Sequence, residues 1–187
     1  MIRYVFWLVL SLAVELVAIA LSGVLPYFAK ARYGWSDNRH RQVIEPRLPW
    51  WLAWFDTPDN SLWGDSGWRT IHCPHYKTRK GMAQWLRRNH GYGFKWTAAA
   101  AEVTDPVSIQ HSGDPDINLN DGKPGVFKAR MGKYWQHKSV RPIPGTGYSL
   151  ALNAGWLLDM YVTHPLAHLE TPKALFMFSP GFVKTKQ

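Results

Sequence analysis

The sequence predicts an α+β protein: one N-terminal transmembrane helix followed by a small, mainly antiparallel β domain with one or two short helices. Three observations carry this reading. Tyr4–Leu25 reads YVFWLVLSLAVELVAIALSGVL, with Glu15 its single charge. Apolar residues return at helical spacing over Thr78–Arg88, at Met82, Trp85 and Leu86, with Gly91 just past the end. From Phe94 onward the apolar pattern has period two, in short runs parted by Pro- and Gly-rich connections such as Pro142–Gly147. The expected division is an anchor over residues 1–29, a basic, Trp-rich linker or interfacial segment over 30–55, and a β domain over 56–187.

The anchor is long enough. Twenty-two residues rise about 33 Å as a helix, against a hydrocarbon core of about 30 Å. Pro26 marks its end, and Lys30 and Arg32 follow at headgroup level. A cleaved secretory signal is the alternative, with Arg3 as its n-region and Ala29-Lys30-Ala31 as its small-residue site. The apolar run outlasts the usual 7–15 residues or so of such signals, and the lone Cys73 suits a reducing compartment better. Lys30, Arg32, Arg39, Arg41 and Arg47 outweigh Arg3, which places the C-terminal side in the cytoplasm.

Glu15 stands near mid-span, where a carboxyl costs a few kcal/mol unless it faces protein or water. Ser11, Glu15, Ala18 and Ser22 fall on one helical stripe, the small and polar composition that close-packing membrane helices use. The functional reading is self-association through this face. The alternative is an apolar helix that tolerates one acid.

After the helix, Ala31–Pro49 has the composition of a juxtamembrane linker. Leu48–Phe55 (LPWWLAWF) places Trp50, Trp51 and Trp54 in five positions, either at a membrane interface or at the start of a core. Asp56–Gly67 is turn chemistry. Beyond it, Phe94 and Trp96 alternate with polar neighbours, as do Phe127, Ala129 and Met131. Leu150, Leu152, Ala154 and Trp156 share one expected face, and Ala174, Phe176 and Phe178 another.

Few constellations offer chemistry. Asp56, Asp59, Asn60 and Asp65 crowd oxygen ligands together, without the spacing of a calcium loop; capping of a turn-rich loop explains them as well. Asp114–Gly122 resembles a calcium loop more closely, yet Leu119 stands where Gly is needed, so a polar hairpin connection is preferred. His72, Cys73 and His75, with His164 and His168, supply zinc-type ligands interrupted by Pro74 and Pro165. Asp59 or Asp65 with His72 makes a conceivable acid–base pair. No P-loop, dinucleotide fingerprint or nucleophile elbow is present, and no cofactor is expected.

Charge is more informative. The net charge is +9, and the first 29 residues cancel, so all of it lies beyond them. Ser66–Ala101 holds seven Lys or Arg and no acid, and Gly122–Leu158 six and none. Lys77, Arg79, Lys80, Arg87 and Arg88 surround Trp85, while Lys123, Lys128, Arg130, Lys133, Lys138 and Arg141 extend along the strands. Beside a membrane such residues each attract anionic lipid by about 1 kcal/mol. On nucleic acid they would meet phosphates, with exposed Trp stacking on bases. An ordinary solvated face is the plainest reading. The anchor favours anionic headgroups over nucleic acid.

Four segments also occur together: FDTPDNSLWGDSGWR (Phe55–Arg69), WLRRNHGYGFKW (Trp85–Trp96), GYSLALNAGWLLDMY (Gly147–Tyr161) and ALFMFSP (Ala174–Pro180). With the apolar N-terminus, this order resembles a family of small uncharacterised proteins encoded by tailed bacteriophages and prophages. The resemblance implies a phage origin and a bacterial inner membrane, and it carries over no catalytic residue. The expectation is a non-enzymatic, single-pass membrane protein whose partners are the bilayer, a second copy, and an unidentified host or phage protein. The alternatives are a metal-binding or hydrolytic domain built on Asp56–His75 and a membrane-tethered nucleic-acid-binding protein.

Overall fold

The structure is a computed structural model that describes residues 2–35, 42–166, 169 and 172–186. The chain forms two compact units, residues 1–98 and 99–187. The fold is α+β, an apolar N-terminal helix followed by an antiparallel sheet with short helices.

The first unit begins with helix α1, Ile2–Leu21, which runs unbroken because it lacks Pro and Gly. Ser22-Gly23 releases it, and Pro26 sits at the start of a 3-10 turn, Leu25–Phe28. The segment expected to be a linker is instead a hairpin. Strand β1 (Lys30–Trp35) pairs antiparallel with β2 (Gln42–Arg47), from Lys30 opposite Arg47 to Trp35 opposite Gln42. Pro46 is accommodated because a two-stranded ribbon has only edges. Arg39, Arg41 and His168 lie outside the described residues.

Trp50–Phe55 forms a second 3-10 turn. The Asp56–Gly67 turns are fastened by Thr57, whose Oγ1 accepts from Trp85 Nε1 at 3.0 Å and donates to the Asn60 carbonyl at 2.9 Å. Helix α2 (Ser66–Ile71) starts at its Asp65 cap. Helix α3 (Arg79–Arg88) starts where Thr78 Oγ1 accepts from Gly81 N, so the periodic segment is helical as expected. Leu25, Leu48, Leu52, Leu62, Met82 and Leu86 close the core, each such side chain contributing about 1.5–3 kcal/mol on burial.

One expected strand is a helix. Phe94 and Trp96 lie on α4, Tyr92–Thr97. Two alternating aromatics are too short a run to distinguish periods, and tertiary contacts decide. Phe94 is fully buried, its ring 5.9 Å from Trp7 and 5.1 Å from Trp54.

The second unit is a five-stranded sheet in the order β4 (Gln110–Gly113), β5 (Gly125–Met131), β6 (Tyr134–Pro142), β7 (Tyr148–Trp156), β9 (Phe176–Lys184), antiparallel throughout. A ribbon of β3 (Ala101–Glu102) with β8 (Lys173–Ala174), and helix α5 (Asp159–Thr163), complete it. Phe127 and Ala129 are buried as their alternation predicts.

On β7 the register runs unbroken, so Leu150, Leu152, Ala154 and Trp156 share one face as expected, but only its C-terminal end is buried. Ser149, Ala151 and Asn153 are buried while Leu150 is exposed; Ala154, Gly155 and Trp156 are then all buried. Near that end, Gly155 lets β6 pass close beside β7. Its φ of +109° is open mainly to glycine, and a Cβ there would stand 2.0 Å from the Trp135 carbonyl oxygen. Trp156 is buried, and its Nε1 donates to the Ala99 carbonyl at 2.8 Å. Ala174 and Phe176 are buried on separate strands, and Phe178 is largely exposed.

Candidate functional site

Helix α1 is inside out. Its buried seam runs through Tyr4, Ser11, Val14 and Ala18, and the following turn buries Ser22. Ser11 Oγ donates to Glu15 Oε1 at 2.9 Å, and Lys95 Nζ approaches the same oxygen at 2.8 Å. His90 Nε2 lies 3.5 Å from Glu15 Oε2. Both Glu15 and Lys95 side chains are less than a fifth exposed. A Cβ on Gly91 would meet Glu15 Cγ at 2.8 Å, so that glycine lets the carboxylate approach α4. Of the stripe expected to meet a second helix, Glu15 with its Ser11 partner faces this chain's own residues 90–95, and Ala18 and Ser22 are buried.

The opposite side carries Val5, Phe6, Val9, Leu12, Leu16 and Leu21, all exposed, Leu16 by 70 %. Polar groups are inside and hydrocarbon is outside, the reverse of a helix on a water-soluble protein. The Leu48–Phe55 aromatics extend the same character. Leu52 enters the core, while Trp50 is 80 % exposed and Trp51 and Trp54 are about half exposed. Trp51 packs edge-on to Phe28 with ring centres 5.6 Å apart. One residue of this segment thus goes inward and three tryptophans outward.

The expected cations are exposed: Lys30, Arg32, Lys77, Arg79, Lys80, Arg87 and Arg88. Several lie on aromatic rings. The Arg79 guanidinium is 4.4 Å from the Tyr27 ring centre, Arg88 5.1 Å from Trp68, and Lys77 5.6 Å from Trp63. Trp68, His72, Gln84, Arg87 and Arg88 line an open cleft of about 440 Å³.

The acid and histidine candidates serve separate local roles. Asp56 accepts from its neighbour Thr57 N at 2.9 Å, and burial raises its pKa against the opposing pull of that bond and of Arg47. Asp59 accepts from Tyr92 OH at 3.0 Å, and burial together with that carboxylate raises the phenol's pKa. Asp65 caps α2 through Trp68 N at 2.7 Å. His72 packs on Trp68, His75 is exposed, and buried Cys73 donates its thiol to Gln84 Oε1 at 3.4 Å. Among the described residues no three His, Cys, Asp or Glu side chains are placed to share a metal.

A cleft in the second unit went unnoticed in the sequence. It encloses about 580 Å³ between the 115–120 loop and α5. Lys138, expected among solvated cations, turns into it and donates to Asp159 Oδ2 at 3.0 Å and to the Pro115 carbonyl at 3.1 Å. Beneath it, Gln136 Oε1 accepts from Leu158 N and Asp159 N, and its Nε2 donates to Asn153 Oδ1. The signal available in the sequence was only a Gln and an Asn on adjacent strands. Lys123, Lys128, Arg130, Lys133 and Arg141 remain exposed, and His137 beside them has its pKa lowered by burial, Arg141 and Lys128.

These features define an α+β protein whose long apolar helix turns its Ser11–Glu15 seam inward. The chain belongs to a family of unknown function, DUF7338, whose profile matches residues 1–184. No curated protein and no solved structure matches it.

Proposed function

We propose that this is a non-enzymatic membrane protein of phage type, held at the bacterial inner membrane by α1, with its β unit on the cytoplasmic side. The single observation that carries the reading is the inverted helix. A face of Val5, Phe6, Val9, Leu12 and Leu16 left open to water would forfeit about 25 cal/mol for each Å² of apolar surface, and a bilayer removes that cost. The helix has the length and hydropathy to cross a membrane. Exposed Trp50, Trp51 and Trp54 suit the interfacial zone, and Lys30 and Arg32 suit anionic headgroups on the cytoplasmic side. The phage origin rests on the resemblance of the Phe55–Arg69 and Trp85–Trp96 segments. Its role is interaction with an unidentified host or phage protein, modifying the envelope or excluding competing phage.

The test is fractionation of cells producing the full chain or the variant Val9→Ser/Leu12→Ser/Leu16→Ser. These positions face outward, so the fold should survive their change. The wild type should sediment with membranes and the variant should shift to the soluble fraction. Equal sedimentation of both, or a soluble wild type, would overturn the reading.

A second reading is favoured by the Trp68, His72, Arg87, Arg88 cleft, where cations border an aromatic floor: a membrane-tethered nucleic-acid-binding protein. It requires salt-sensitive retention of the detergent-solubilised full chain on DNA or heparin, lost in Arg87→Ala/Arg88→Ala.

A further inference from the structure

From the way α1 is docked, we infer that it lies in the plane of an anionic bilayer, with both of its ends on one side. This rests on the membrane reading above and specifies its geometry. Contacts hold α1 and the turn after it along their whole length. Trp7 meets Phe94 near the start, and Glu15 meets Lys95 and His90 in the middle. Leu25 packs with Met82 and Leu86, and Tyr27 lies under the Arg79 guanidinium. Residues 79–95 therefore run antiparallel alongside residues 7–27.

That companion segment is charged on its outer side. Arg79, Lys80, Arg87 and Arg88 are exposed, and none has a carboxylate partner among the described residues. An upright α1 would carry α3 into the hydrocarbon with it. Each Arg or Lys near mid-bilayer costs about 2.5–3.5 kcal/mol on insertion scales, and among the described residues no carboxylate offsets it. An in-plane α1 avoids this. The Val5, Phe6, Val9, Leu12 and Leu16 face sinks among acyl chains, while the polar seam and α3 stay on the water side.

The flanks fit the same placement. Trp51 stacks on Phe28 at the exit of α1, and Trp54 reaches Phe94 beside its start, so the 50–55 turn lies along the helix and exposes its indoles. Lys30, Arg32 and Arg79 stand at the exit end, where anionic headgroups complement them.

The experiment uses full chains bearing Ile2→Cys or Thr70→Cys, both exposed positions. Each is exposed to a membrane-impermeant maleimide in intact spheroplasts and in inverted inner-membrane vesicles. The native Cys73 is fully buried and gives the unlabelled control. The in-plane helix predicts that both new thiols react in inverted vesicles and neither in spheroplasts. Reaction of the two from opposite sides would overturn the in-plane geometry and leave the membrane reading standing. Recovery of the chain in the soluble fraction would overturn the membrane reading itself.

Discussion

At the scale of single residues, the account turns on Glu15. An acid in the middle of a 20-residue apolar helix is costly wherever it faces lipid. Here Ser11, Lys95 and His90 surround it. Lys95→Met leaves the carboxylate with a hydroxyl and a distant imidazole, and should destabilise the first unit by about 1.5–3 kcal/mol, the usual worth of a hydrogen bond to a charged group. Thermal unfolding in detergent measures this. The double variant Glu15→Gln/Lys95→Met should recover part of the loss, because no charge is then left unpaired. Asp56 poses the opposite case. Burial raises its folded-state pKa, so the ionised carboxyl weakens the fold at neutral pH. That penalty is complete above the raised pKa and vanishes as pH falls below the unfolded value of 3.8. Asp56→Asn keeps an acceptor for Thr57 N, and should melt at or above the wild-type temperature at pH 7. The gap should close on acidification; a gap that widens would contradict this.

At the scale of elements, legibility followed length. The α1 segment was readable from its unbroken apolar run, and α3 from the helical spacing of Met82, Trp85 and Leu86. The pair Phe94 and Trp96 was not readable, since two residues fit either period and the deciding contacts, to Trp7 and Trp54, are remote in sequence. On β7 the alternation was visible, but nothing in the sequence said that its face is covered only at the Ala154–Trp156 end. The hairpin of β1 and β2 hid behind a composition typical of linkers. The polar stripe on α1 was legible as a packing face, yet nothing in the sequence said that the partner lies about 75 residues further along the same chain. Gln136 was illegible for the same reason. It ties β6 to the start of α5 and to β7 through three hydrogen bonds, two of them fully buried. Gln136→Leu would strand the Leu158 and Asp159 N–H groups at about 1–3 kcal/mol each. The second unit should lose stability by that order in thermal unfolding, and an unchanged melting temperature would deny the network its role.

At the scale of the whole molecule, the chemistry-bearing residues are spent on architecture. Asp65 caps a helix, Asp59 holds Tyr92, and Lys138 answers Asp159. Surface also remains: the outward face of α1, the Trp50–Trp54 indoles and the exposed cations of α3. Hydrocarbon, aromatic and basic zones together describe contact with an anionic bilayer more economically than they describe a reaction. The most direct measurement is flotation of the purified full chain, transferred from detergent onto vesicles rich in anionic lipid and washed with alkaline carbonate. The chain should rise with the vesicles and stay with them through the wash. A chain that remains at the bottom of the gradient as a soluble monomer would contradict it.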